Sequence, residues 1–218
     1  MAAEAHSFAP SAKNYNMKIG KRLLKILNFI EEIEKLKHIN RINTLSNRSR
    51  QESVAEHSWH LAMIILILKD ELDINFDVVK AIKIALVHDL VEIYTGDTWP
   101  SNDKEKEYKK VREKKAAKKL FNKLPTSLKE EIKGYWMDYE NAKSQEAKIV
   151  KGLDKIVYPM HYFMSGKIAW HKEQSTNDER RRYGRPYVKH NKVLSEIFEY
   201  YNGKLDKIKR VREEPTKI

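Results

Sequence analysis

His57, the adjacent pair His88-Asp89, and Asp154 are the residues of this chain best equipped for chemistry. Each falls on an apolar stretch with helical spacing, where a buried imidazole or carboxylate without a partner costs free energy. A divalent cation satisfies all four at once, so they read as one metal site. Two imidazoles and two carboxylates form a mixed nitrogen and oxygen donor set that suits Mn, Co, Fe, Ni or Zn, whereas Mg prefers oxygen ligands and water. No histidine occurs between Asp89 and Asp154, so a mononuclear site is expected. Such a metal, with positions left for water and substrate, lowers the pKa of the water and polarises a phosphoryl oxygen, which is a hydrolase's equipment. Glu92, one turn beyond the pair, is the candidate general base. Asp97, on the turn that follows, is the candidate for orienting the nucleophile or contacting a substrate hydroxyl.

Helical periodicity supplies the elements that must position these groups. From Met17 the apolar residues Leu23, Leu24, Leu27, Ile30, Ile33 and Leu36 recur at the spacing of one helix face. The stretch from Ile39 to Gln51 breaks that pattern with Asn, Ser, Thr and Arg and reads as a loop. Ser53 and Glu56 then match a capping box, which sets His57 in the first turn of a helix through Leu61, Ile64, Ile65, Leu68 and Leu72. Val79, Ile82, Leu86, Leu90 and Ile93 mark the buried face of the next helix, which Gly96 ends in the left-handed conformation. His88, Asp89 and Glu92 occupy its last turns in this reading and face one cavity.

Asp97-Thr98-Trp99-Pro100 leaves as a turn, and a charged amphipathic helix carrying Val111, Leu120 and Leu124 is stopped by Pro125. A second capping-box pattern, Ser127 to Glu130, opens a helix through Ile132 and Trp136, and a helix from about Ser144 holds Ile149, Leu153, Asp154, Ile156, Val157 and Met160. Past a loop rich in Arg and Asn, a final helix runs through Val193, Leu194, Ile197, Phe198 and Leu205. No alternating run reads as a strand, and the expected fold class is all-α, a helical bundle with the metal site between core helices.

The bulk composition agrees with a helical globular protein: 218 residues, 41% hydrophobic, 34% charged, seven Gly and six Pro. Residues 1–16 read as a loose tail and 17–218 as one domain, with the motifs in a core over 21–163 and a helical extension over 164–218. The lack of cysteine excludes disulfide frameworks, thiolate zinc sites and cysteine nucleophiles, and fits a reducing, cytoplasmic setting. The first residues lack the order of a signal peptide, and the longest apolar run, Leu61 to Leu68, is too short to span a bilayer, so no membrane association is expected.

A net charge of +12 gathers in two places, nine Lys/Arg with three Glu between Lys104 and Lys119, and Arg180, Arg181, Arg182 and Arg185. The plain reading is a solvated helix face and a surface loop, and the sharper one is attraction of anionic substrates.

The segments ESVAEHSWH (52–60), LVHDLVEIYTGD (86–97) and EAKIVKGLDKI (146–156) resemble the HD-domain phosphohydrolases in order and spacing, most of all the 5'-deoxynucleotidase branch, over roughly Lys21 to Phe163. The resemblance implies an all-helical fold, a homodimer, and hydrolysis of deoxyribonucleoside 5'-monophosphates to nucleoside and phosphate. By position, His57, His88, Asp89 and Asp154 match the family's metal ligands, Glu92 its catalytic carboxylate, Asp97 its second essential acid, and Arg41 the arginine that grips the phosphate through paired hydrogen bonds. Where the family carries a tryptophan beside the sugar, this chain has Ile42 and Asn43, which leaves the deoxy preference open. Arg48 and Arg50 are further phosphate candidates. Two rival readings stand beside a nucleoside monophosphate phosphatase: an HD hydrolase of nucleotide di- or triphosphates or another small phosphoester, and a non-catalytic nucleic-acid binder built on the basic stretches.

Overall fold

Local chemistry fixes several of the elements that hold the site. The computed structural model describes residues 19–98, 103–166 and 177–207. The expected tail at 1–16 and the Trp99-Pro100 end of the turn lie outside these. In chain order come α1 (Lys21–Ile33), a 3-10 turn (Glu34–His38), β1 (Asn40–Thr44), β2 (Gln51–Ser53), α2 (Val54–Leu68), α3 (Val78–Val87) and α4 (Glu92–Thr95). They are followed by α5 (Asp103–Phe121), α6 (Thr126–Asn141), α7 (Gln145–Ser165), α8 (Asn177–Val188) and α9 (Lys192–Lys207). The all-α class holds, with one small addition. Among the described residues, no helix is long and apolar enough to cross a membrane.

That addition is an antiparallel hairpin where a loop was expected. Asn40 pairs with Ser53 and Thr44 with Gln51, so five residues of β1 face three of β2 across an irregular register. A ladder this short and bulged leaves no alternation to read in the sequence.

The cap of α2 and the start of α7 are as expected. Ser53 Oγ accepts the Glu56 backbone N–H at 3.2 Å while Glu56 accepts the Ser53 backbone N–H at 2.8 Å. Ser144 Oγ accepts the Ala147 N–H at 3.1 Å. The box anticipated at Ser127 does not form, because α6 begins at Thr126 with Pro125 at the cap position, two residues before Ser127, and Ser127 instead accepts from Arg22.

Two apolar clusters make the core. The larger joins α2, α3, α7 and α9 through Leu61, Ile65, Ile84, Leu153, Leu194 and Phe198; the smaller gathers Phe29, Val54, Val91, Leu120, Phe121 and Trp136. Burying one such aliphatic side chain contributes about 1.5–3 kcal/mol.

Several faces differ from the periodicity reading. On α3 the buried residues are Ala81, Ile84, Ala85 and Val87, whereas Val79 and Leu86 are exposed; on α1, Leu23, Leu24 and Ile30 are exposed and Phe29 is buried. Val111 is likewise exposed on α5. The helix expected to run through Glu92 stops at Val87, and a turn over 88–91 separates it from α4. Gly96 does end α4 with a positive φ of 68°, but its ψ of 162° is extended rather than left-handed helical.

The Arg-rich segment expected as a surface loop is α8. Its Arg181 pairs with Glu199 and Asp206, and Arg185 with Glu199, so part of the positive charge neutralises acids of α9. Both helices pack on α7, and Gly152 lets them approach: a Cβ there would lie 2.9 Å from the Tyr187 carbonyl oxygen and 3.0 Å from Leu194.

Candidate active site

Three elements and one turn bring the predicted residues together. His57 stands in the first turn of α2, His88 caps the C-terminus of α3 with Asp89 next to it in the turn, and Asp154 lies mid-way along α7. Ligand atoms of His57, His88 and Asp154 lie within 4.8 Å of one another. His57 Nε2 is 3.1 Å from Asp154 Oδ1 and 4.0 Å from Asp89 Oδ2, while His88 Nε2 is 3.1 Å from the same Asp89 oxygen. Donors bound at right angles around one cation, with bonds of about 2.1 Å, sit about 3 Å apart, which is this spacing.

The imidazoles are prepared for such a role. His88 Nδ1 is 2.8 Å from the Ala85 carbonyl oxygen, which only accepts, so Nδ1 carries the hydrogen and Nε2 keeps its lone pair. His57 Nε2 and His88 Nε2 are buried without a hydrogen-bond partner, which an apolar core tolerates poorly. Burial, with the Arg41 charge behind it, pushes His57 down to about 4, so it is a neutral donor at neutral pH. Burial opposes charge on His88 too, but the neighbouring Asp89 carboxylate outweighs it and raises that imidazole. Asp154 resists its own burial through Lys155 and His57 and is held well below the usual carboxylate range. This donor set fits a divalent cation.

Two residues that sequence reasoning missed hold Asp154. Tyr139 Oη donates to Asp154 Oδ2 at 2.9 Å and Lys155 Nζ donates to the same oxygen at 2.8 Å. Tyr139 also packs its ring on His88, with centroids 4.8 Å apart. Lys155 adjoins Asp154 in sequence and was open to notice; Tyr139, on α6, was not.

Arg41 lies on β1 between two acids, its Nη1 3.3 Å from Asp89 Oδ2 and its Nε 3.5 Å from Glu52 Oε2. Ile42, beside it, is half-buried. Asn43 is 2% exposed, and its side-chain amide has no hydrogen-bond partner at either end. In the sequence Asn43 marks only a departure from the family pattern, and its burial comes from the fold.

Glu92 opens α4, buried, with Oε2 unpartnered and Oε1 3.7 Å from Lys109 Nζ. Burial first, then the charges of Asp89 and Asp97, raise its carboxyl well above the ordinary value. Asp97, half-buried past Gly96, is raised by burial and by Asp89 against the pull of Arg41. Lys109 belongs to the basic stretch expected to be a solvated helix face, yet it turns inward to Glu92 and to the Thr98 carbonyl at 2.9 Å. Arg48 and Arg50 are engaged elsewhere, with the Ser165 carbonyl and the Glu56 carboxylate.

A model of the HD domain matches residues 33–197. Human 5'-deoxynucleotidase HDDC2 is 38% identical over 109 residues, 50% of this chain and 52% of that protein, and the Xenopus laevis 5'-deoxynucleotidase HDDC2 is 31% identical over 157 residues, 71% of this chain and 76% of that one. The chain thus spans about half the length of the first of these relatives. A solved structure from Magnetospirillum magnetotacticum, described as a predicted metal-dependent phosphohydrolase, superimposes with a TM-score of 0.74 at 30% identity, covering 86% of this chain and 95% of its own. With the histidine-aspartate pair seated at the helix junction and the match spanning most of its length, the chain belongs to the HD-domain family.

Proposed function

We propose that the chain is a metal-dependent phosphohydrolase that converts nucleoside 5'-monophosphates to nucleoside and phosphate, and that His57, His88, Asp89 and Asp154 hold one transition-metal ion. The observation that carries this reading is the convergence of two imidazole nitrogens without hydrogen-bond partners on the Asp154 carboxylate, with Asp89 3.1 Å from His88, beside a buried Glu92 whose surroundings disfavour its charged form. A divalent cation bound there lowers the pKa of water and polarises a phosphoryl oxygen. Glu92 takes the proton from the attacking water, Asp97 orients that water or a substrate hydroxyl, and the Arg41 guanidinium swings from Asp89 to the phosphate oxygens. Ile42 borders the sugar, where its small aliphatic side chain leaves the deoxy preference open. The named relatives, both called 5'-deoxynucleotidases, support the substrate class.

The test is phosphate release from a panel of deoxy- and ribonucleoside 5'-monophosphates by protein loaded with Mn or Co. Absence of turnover by fully metallated protein on every nucleotide overturns the reading; release of pyrophosphate or triphosphate from higher nucleotides moves it to the di- and triphosphate rival. A homodimer and a cytoplasmic setting belong to the same proposal, supported by the exposed Leu23, Leu24 and Ile30 of α1 and by the lack of cysteine. Light scattering of the full chain decides the first. The inward turn of Lys109 and the pairing of Arg181 and Arg185 with acids count against a nucleic-acid-binding role.

A further inference from the structure

Outside the His57 centre, the described residues hold one further group with converging metal-ligand atoms: Glu52, His60 and His161. The helices that carry the first centre also build this one. His60 lies three residues after His57 on α2, His161 lies seven after Asp154 on α7, and Glu52 comes from the short strand β2. The expectation of a single ion considered only the region between Asp89 and Asp154, and so passed over these histidines.

The ligand atoms are all within 4.8 Å of one another. His161 Nε2 lies 3.3 Å from His60 Nδ1, and His161 Nδ1 lies 3.3 Å from Glu52 Oε2. Glu52 is 2% and His161 8% exposed. Yet Glu52 Oε2 and His161 Nδ1, though close, lack the alignment of a hydrogen bond and have no other such partner. Buried polar atoms that approach without bonding are also the mark of the first centre, where His57 and His88 Nε2 face carboxylate oxygens in the same way.

A cation accounts for both features. Two ligands on a tetrahedral zinc, with bonds of about 2.0–2.1 Å, are about 3.3–3.4 Å apart. One imidazole gives an ion a single nitrogen, so only one of the two 3.3 Å spacings joins ligands of the same ion, and the third donor lies within 4.8 Å of them. Two histidines with one glutamate form a zinc set that leaves a position for water. His60 is half-buried beside the exposed Trp59, so the cluster opens to solvent on that side. We propose that Glu52, His60 and His161 form a second cation site, suited to zinc and separate from the His57 centre. The two are linked through Arg41, which reaches Glu52 with Nε and Asp89 with Nη1. A cation on Glu52 competes with Arg41 for the same oxygen and so loosens the guanidinium from that side.

The experiment is an ion count on the full chain, stripped of metal, titrated with zinc by calorimetry and then dialysed for elemental analysis. The wild-type chain binds two ions, His60→Ala and His161→Ala each bind one, and Asp154→Asn retains the ion of the second site. His60 sits at a half-exposed rim, so His60→Ala decides the matter should His161→Ala fail to fold. A wild-type chain that binds a single ion, lost in Asp154→Asn and kept in His60→Ala, overturns the proposal and makes the cluster a hydrogen-bonded relay. A stoichiometry of two that survives both histidine substitutions overturns it as well. Ion counts do not read nucleotide hydrolysis, so this proposal and the proposed activity fail separately.

Discussion

Replacing Lys109 by Gln tests whether Glu92 is the base. The ammonium lies 3.7 Å from Glu92 Oε1 and 3.6 Å from Glu113, and its side chain is 22% exposed. Unit charges at that distance attract by about 4.5 kcal/mol at an effective dielectric constant of about 20. Sharing with Glu113 and contact with solvent leave about a third of this, or about 1.5 kcal/mol, which corresponds to about one pH unit. Lys109 opposes the burial and the Asp89 and Asp97 charges that raise Glu92, so its loss lifts the Glu92 carboxyl further. A base works only when deprotonated; the acid limb of kcat against pH therefore moves up by about one unit, while the plateau at high pH changes little. Gln still offers a donor to the Thr98 carbonyl, which limits disturbance of the turn that carries Asp97. The assay is phosphate release at saturating nucleotide and metal from about pH 5 to about pH 9. An acid limb that stays in place, or moves down, refutes the assignment of Glu92.

Tyr139→Phe keeps the ring against His88 and removes only the donor to Asp154, so metal affinity at the His57 centre falls about 10- to 100-fold by calorimetry; an unchanged affinity shows that the hydroxyl does not set the carboxylate. Gly152→Ala forces a Cβ against the Tyr187 carbonyl, and the crowding costs about 1–3 kcal/mol in urea unfolding and weakens metal binding at Asp154 two residues on. Wild-type stability in that variant would mean that α8 gives way freely. Glu32, held by Lys123 and Lys35 down to about 2, contributes stability that is present above the unfolded carboxylate value of 4.5 and is lost as pH falls through about 2. Glu32→Gln accordingly costs about 1–2 kcal/mol at neutral pH, a figure kept small because the two ammonium partners are partly exposed. The gap from wild type closes on acidification, and a gap independent of pH contradicts the ion-pair account.

What could be read from the chain depended on the range of the interactions. The Ser53–Glu56 box joins groups three residues apart, and the apolar spacing that follows Ser144 is just as local, so the starts of α2 and α7 were legible and with them the places of His57 and Asp154. The break between α3 and α4 was not, because apolar residues at helical spacing persist through the turn at 88–91. Periodicity marks an apolar stripe but not which stripe is covered, hence the exposed Val79 and Leu86. The hairpin was hidden by its shortness, and α8 by a composition that resembled a loop until Glu199 and Asp206 of α9 came within reach of its arginines.

By itself, then, the order of residues determined the helical class, the donor types, and the motif that marks the family, since each rests on side-chain chemistry and neighbours close along the chain. Tertiary packing alone decided that Tyr139 reaches Asp154, that Lys109 leaves the solvated face for Glu92, and that Glu52, His60 and His161 meet. These contacts join elements separated along the chain. Their distances follow from how whole faces settle together, a property that no local window of residues contains.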